Sequence, residues 1–265
     1  MTLIEGLFLG IVQGLTEFLP VSSSGHLVLL QKLLGISVGV MTFDIAVHFA
    51  TLVAVIAVFW KDLVNMIKKP FQKINIMLIV ATIPAFVLGF AFKDFFESLF
   101  ASGKTLAIEF AITGAALLIA EKVASKRKNT SKDIEQLSCG DATFIGVAQA
   151  VAILPAVSRS GLTLAGALYK GLNREFALKF SFLMSIPAIL GPALIDGVKV
   201  VHTGVPDGMM MPILFGMLGA GIAGYLSIRF MLNVFTKVSL KYFSIYVFVL
   251  AALVGADQLI FKRFF

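Results

Sequence analysis

The chain has 265 residues, 58% of them hydrophobic and 14% charged, and its 22 Lys and Arg against 15 Asp and Glu give a net charge of +7. Soluble domains are about 45–50% apolar and about 25% charged, so a soluble globule is excluded, and 25 Phe with no long polar or single-sign tract exclude disordered and low-complexity chains. The composition predicts an all-α polytopic membrane protein, and the absence of a Pro-, Gly- or Ser-rich linker makes residues 1–265 one integral membrane domain.

The N-terminus has no basic residue ahead of its apolar run and carries Glu5, so it does not read as a signal peptide. The first apolar region, Leu3–Leu34, does not read as a span either. Gln13, Glu17, Pro20, Ser22, Ser23, Ser24, Gly25 and His26 interrupt it, leaving the arms Leu3–Leu15 and Leu27–Leu34 too short to cross. Ile45–Trp60 and Ile74–Phe92 follow as charge-free spans, and Thr105–Ala120 is apolar apart from Glu109. The charged run Glu121–Lys132 then opens a basic connection, 123–140, which holds the single Cys139 and so no internal disulfide. A second interrupted region, Phe144–Leu168, carries Pro155, Ser158, Arg159, Ser160, Gly161 and Thr163 at its centre. Phe180–Ile195, Met209–Ile228 and Tyr242–Ala256 bring the count to about six spanning helices. The two interrupted regions are predicted to be re-entrant helix-loop-helix hairpins, because irregular backbone at membrane depth is tolerated only where it lines a polar cavity.

The hairpins match each other. Ser22-Ser23-Ser24-Gly25 and Ser158-Arg159-Ser160-Gly161 stand 136 positions apart, and Gln13 and Gln149 keep the same offset. Each hairpin precedes three spans, and an odd number of crossings inverts the second repeat relative to the first. The chain is therefore expected to hold inverted-topology repeats, about 1–122 and 141–265, joined by a cytoplasmic segment. On that topology fifteen basic residues fall on one side and six on the side of the termini, with Arg159 inside. Positive-inside sorting places the termini outside and accounts for the charge without nucleic acid.

The chemistry concentrates in the hairpins. Gln13 and Glu17, four residues apart, share one helix face, and a carboxylate at membrane depth requires a cation, a metal or water. Serines ahead of a half-helix are ordinary N-caps, yet the same free N–H groups bind anions, and two such starts facing each other make an anion-attracting pocket. Arg159 serves either as a structural partner of Glu17 or as a bidentate phosphate clamp, with Ser158, Ser160 and Thr163 as hydroxyl donors around it. His26, three residues after Ser23, is in position to take a hydroxyl proton or to attack phosphorus itself. Asp44 and His48, one helical turn apart, either line the cavity or, the preferred reading, lie near an interface; Glu109 reads as a protonated donor to a neighbouring helix, and His202 as a loop residue.

The runs Gln13-Gly14-Leu15-Thr16-Glu17-Phe18-Leu19-Pro20-Val21-Ser22-Ser23-Ser24-Gly25-His26 and Leu154-Pro155-Ala156-Val157-Ser158-Arg159-Ser160-Gly161-Leu162-Thr163 resemble the bacterial undecaprenyl-diphosphatase family of bacitracin-resistance membrane phosphatases. Arg174-Glu175-Phe176-Ala177, Phe180-Ser181-Phe182-Leu183 and Ile186-Pro187-Ala188 look like the family as well. The resemblance implies hydrolysis of undecaprenyl diphosphate to the monophosphate carrier lipid at the outer face of the bacterial plasma membrane, with a divalent cation, magnesium or alternatively calcium. It puts Gln13 and Glu17 at the metal positions, Ser22, Ser23 and His26 in a first catalytic loop, and Ser158, Arg159, Ser160 and Thr163 in a second. Gln13 stands where many members have Glu, and Ala156 where the second motif usually has Gly.

The expected mechanism has Ser23 as nucleophile, His26 as base, Arg159 with the two loop N-termini as phosphate clamp, and Glu17 holding the metal or orienting His26. Direct attack by His26 stays open. The substrate-binding set is Gln13, Ser22, Ser24, Gly25, Ser158, Ser160, Gly161 and Thr163, and the partners are a prenyl diphosphate and membrane lipid, with a homodimer as candidate assembly. The competing class is a transporter or flippase for an anionic or phosphorylated lipid, which needs the clamp but no nucleophile and base.

Overall fold

The computed structural model describes residues 1–126 and 132–264, so Arg127 and Lys128 of the basic connection lie outside the described residues. Twelve α-helices follow one another there: α1 (Leu3–Phe18), α2 (Ser23–Leu33), α3 (Val40–Val58), α4 (Trp60–Lys68), α5 (Lys73–Ala91), α6 (Lys93–Ser102), α7 (Leu106–Lys126), α8 (Cys139–Val151), α9 (Arg159–Tyr169), α10 (Arg174–Thr203), α11 (Met210–Val234) and α12 (Lys241–Ala256). No strand occurs among the described residues, only an isolated bridge between Lys132 and Leu172.

The helix boundaries follow local chemistry. Thr2 and Glu5 form a capping box at the start of α1, and Ser138 and Asp141 form one at the start of α8. α1 stops at Leu19, which is held extended ahead of Pro20. α2 and α9 start on serine N-caps, where the Ser22 hydroxyl accepts from Gly25 N–H at 3.2 Å and the Ser158 hydroxyl from Gly161 N–H at 3.0 Å. Both interrupted regions thus form a helix, a break and a second short helix.

Among the described residues five helical stretches are long and apolar enough to cross a membrane: Val40–Val58, Lys73–Ala91, Arg174–Val200, Met210–Val234 and Lys241–Phe261, the last continuing α12 through a π-helical turn. The sixth expected span differs. α7 has 21 residues, but Glu109, Glu121, Lys122 and Lys126 lower its apolar content. α10, at 30 residues, outruns the expected Phe180–Ile195 at both ends and takes in Pro187 and Pro192. His202 lies exposed in its last turn rather than in a loop.

Helix pairing is regular. α1 lies along α11 and α8 along α5; α3 packs on both α10 and α11, α5 touches α10, and α7 pairs with α12. Equating α1, α3, α5 and α7 with α8, α10, α11 and α12 converts each of these pairs into another member of the set or into itself. The close pairs use glycine. A Cβ at Gly10 would collide with the Gly216 carbonyl of α11, and one at Gly146, 136 positions later, with the Ala81 carbonyl of α5. Small residues let helix backbones approach where apolar solvent gives no hydrophobic drive.

Ion pairs tie the helices together away from these seams. Arg174 binds both oxygens of Glu121 at 2.8 and 2.7 Å, and Lys179 meets Asp62 at 2.5 Å. Asp141 meets Lys132 and Lys170 at 2.8 and 3.1 Å; burial opposes its ionisation, but hydrogen bonds from these lysines and Ser138 hold its carboxyl down at about 2.

Overpacking a tight seam costs about 1–3 kcal/mol. Gly10→Ala and Gly146→Ala should each lower the thermal unfolding midpoint of the detergent-solubilised protein, while Ile222→Val, on the exposed side of α11, should leave it unchanged. Unaltered midpoints in both glycine variants would refute the close seams.

Candidate active site

The breaks after α1 and α8 meet face to face. A Cβ on Gly25 would stand 2.6 Å from the Phe110 ring and 2.9 Å from the Ala156 methyl, so only glycine lets the first loop touch the second. Ser160 Oγ donates to the Leu19 carbonyl at 3.0 Å, closing the contact from the other side. The starts of α2 and α9, with their partial positive charge, therefore converge on one place.

Glu17 is the hub. Its Oε1 accepts from Arg159 Nη2 at 2.5 Å, and its Oε2 accepts from Ser23 Oγ at 2.5 Å and from Gln13 Nε2 at 3.0 Å. The carboxylate side chain is 6% exposed and the guanidinium 14%. Deleting one partner of such a pair costs about 3–5 kcal/mol, because the other charge stays buried. Arg159 Nη1 also donates to the Ser181 carbonyl at 3.3 Å, and Thr163 Oγ1 lies 2.6 Å from Ser181 Oγ and donates to the Arg159 carbonyl at 2.8 Å. The hydroxyls of Ser158 and Ser160 stand 3.3 Å apart, and Ser24 is half-buried beside Ser23.

A family model described as bacitracin resistance protein BacA matches residues 6–253 of this chain. The chain belongs to this family. It is 50% identical over 252 residues to the undecaprenyl-diphosphatase of Carboxydothermus hydrogenoformans, covering 94% of this chain and 95% of the relative. Against the undecaprenyl-diphosphatase of Halothermothrix orenii the identity is 38% over 256 residues, with 96% and 97% covered. Undecaprenyl-diphosphatase 3 of Bacillus cereus strain ATCC 10987 matches at 41% over both full lengths.

Within this BacA-family site, the structure joins Ser23 to Glu17 and not to His26. His26 Nδ1 lies 2.6 Å from the Ser22 carbonyl, which can only accept, so Nδ1 carries the proton. Nε2 therefore accepts from the Tyr246 hydroxyl at 2.7 Å, and the two rings stack at 5.7 Å. Ser22 adopts a positive φ of 71° to present that carbonyl. The direction of His26 follows from α2 starting at Ser23, which puts the imidazole in the first helical turn.

Several residues of the site went unread in the sequence. His48 lines the site: its Nδ1 donates to the Asp44 carbonyl at 2.7 Å and its Nε2 stands 3.7 Å from Glu17 Oε2. Gln31 Nε2 in turn donates to Asp44 Oδ1 at 2.7 Å. Glu109 Oε2 takes the Ala156 N–H at 2.8 Å, while Thr113 Oγ1 takes the Ser158 N–H at 2.9 Å. α7 thus holds the second loop, as Tyr246 of α12 holds His26.

A divalent cation has few ligands to choose from. Among the described residues no group of three His, Cys, Asp or Glu can hold a metal ion. Glu17 is the one carboxylate at the hub, but Gln13 Oε1 is a buried acceptor without a partner. One carboxylate, one amide oxygen, water and phosphate oxygens form a donor set that hard divalent ions accept.

Arg159→Lys keeps the charge but loses the fork. The variant should still fold, judged by gel-filtration profile, and lose at least about tenfold of whatever phosphate-releasing activity the wild type has. Full activity would reduce the guanidinium to a point charge, and failure to assemble would make it purely structural.

Proposed function

We propose that this chain is an undecaprenyl-diphosphatase: it hydrolyses undecaprenyl diphosphate to undecaprenyl phosphate and inorganic phosphate, recycling the lipid carrier for cell-wall synthesis. The observation that carries the reading is the 2.5 Å hydrogen bond from Ser23 to a carboxylate that also binds Arg159. A hydroxyl beside a base and a guanidinium is what phosphoryl transfer requires. A carrier that only moves an anion has no use for the Ser23–Glu17 pair, so nothing favours transport. The printed names of the relatives support the same activity.

In the proposed reaction Glu17 Oε2 takes the Ser23 proton as Oγ attacks the terminal phosphorus, and the bond to the bridging oxygen breaks to release prenyl phosphate. Arg159 and the N–H groups opening α2 and α9 neutralise charge on the equatorial oxygens. Water then cleaves the phosphoserine, its proton passing through the Tyr246 hydroxyl to Nε2 of His26 while Ser23 Oγ takes its own proton back from Glu17, and inorganic phosphate leaves. A divalent cation, magnesium or calcium, held by Glu17 and Gln13 Oε1, would supply further charge neutralisation when bound. Ser22 and Ser158 fix the loop starts, while Ser24, Ser160 and Thr163 surround the phosphate.

The 136-residue offset and the exchange symmetry of the helix pairs support two inverted halves with the interrupted regions as re-entrant hairpins. The basic bias supports a multi-pass protein of the bacterial plasma membrane, with termini and site facing outward.

Phosphate release by purified protein from a prenyl diphosphate tests the reading. Ser23→Ala should lower kcat at least about a thousandfold, whereas His26→Gln should retain slow turnover that rises with pH as hydroxide replaces the base. An acid-labile phosphoenzyme that persists in Ser23→Ala and vanishes in His26→Gln would transfer the nucleophile to His26. No phosphate release by the wild type would refute the function.

A further inference from the structure

The environment of Glu17 contains an imidazole that the proposed reaction does not use. His48 lies on α3, one turn after Asp44, and the Asp44 carbonyl can only accept, so the bond at 2.7 Å fixes the proton on Nδ1. In the neutral imidazole the lone pair of Nε2 then faces Glu17 Oε2 at 3.7 Å, a separation too long for a hydrogen bond. Two donors about 2.1 Å from one ion stand roughly 3.0–3.6 Å apart. A ligating imidazole commonly has its other nitrogen tied to a carbonyl, as here.

The second observation is Gln13. It is fully buried, its Nε2 is spent on Glu17 Oε2, and its Oε1 has no partner. The two ends of an amide exchange by a half-turn about its last bond. Without a cation the N–H₂ end faces the carboxylate; with one between them the oxygen end would turn in and bind, ending the orphaned state.

We propose that His48 Nε2 completes, with Glu17 and the Gln13 amide oxygen, a mixed nitrogen-oxygen site for a divalent cation. The site rests on the phosphatase reading, since the remaining positions would be filled by water and substrate phosphate. An imidazole moves selectivity away from magnesium and calcium, which take oxygen ligands, toward manganese and later first-row ions. The site thereby gains a softer, neutral donor beside its single carboxylate, without the negative charge that a second carboxylate would bring.

The test uses the full-length protein in detergent without substrate, with manganese and magnesium as probes. Titration calorimetry should give one manganese site at least about tenfold tighter than magnesium, and pulsed electron paramagnetic resonance of the manganese form should record coupling to an imidazole nitrogen. His48→Ala should abolish that coupling and weaken manganese binding at least about tenfold, and Gln13→Glu should tighten magnesium. If His48→Ala does not fold, the wild-type spectrum alone decides. Manganese bound without nitrogen coupling, coupling that survives His48→Ala, or no stoichiometric binding would overturn the site and reduce His48 to a neighbour of Glu17. Prenyl diphosphate hydrolysis by the same preparation separates the two readings: hydrolysis without a nitrogen-bound ion refutes the metal site alone, and no hydrolysis refutes the phosphatase.

Discussion

A buried carboxylate must find a cation or hydrogen-bond donors, and in this protein that requirement joins two interrupted regions far apart in the sequence. Glu17 and Arg159 are 142 residues apart and meet at 2.5 Å. A buried pair is weak support for stability, because desolvation consumes much of its Coulomb gain, but losing one partner is expensive. The pair therefore acts as a registry device that penalises any arrangement separating the two loops. The grip is reciprocal: α7 holds the second loop through Glu109 and Thr113, while α12 holds the first through Tyr246. Neither loop is positioned by its own half alone.

Equivalent positions have diverged into complementary roles. Ser22 and Ser158 cap their helices in the same way, and Gly10 and Gly146 seat their helices in the same way. Between them Ser23 corresponds to Arg159, His26 to Leu162 and Glu17 to Ile153. One interrupted region carries the carboxylate, the hydroxyl and the imidazole, and the other carries the guanidinium. Gln149, the counterpart of Gln13, has no carboxylate one turn later, and both of its amide atoms are buried without partners. The chemistry has been concentrated on one side of a nearly symmetric frame.

The loops were legible because Pro, Ser, Gly and charge inside apolar runs have few physical explanations. Ser22, Gly25, Glu17 and Arg159 meet across the two breaks as the sequence suggested, whereas Ser23 bonds Glu17 and not His26; the family was readable in the same residues. What could not be read was the facing of the apolar helices. α3 is apolar on nearly every side, so no amphipathic stripe points His48 at Glu17 rather than at lipid. Tyr246 on α12 resembles the tyrosines that populate membrane interfaces. The partner of His26 escaped because α2 starts at Ser23, which turns the imidazole toward α12. Glu109 marks α7 in the sequence, but nothing there shows that Glu109 and Thr113 grip the second loop.

The central claim is that Glu17 and Arg159 work as one unit on the substrate. A double-mutant cycle on kcat/KM for a prenyl diphosphate, with Glu17→Gln, Arg159→Gln and the double variant, tests it most directly. The account predicts a double variant no worse than the more damaged single variant, since residues acting as a unit are strongly non-additive. Losses that multiply independently would contradict it.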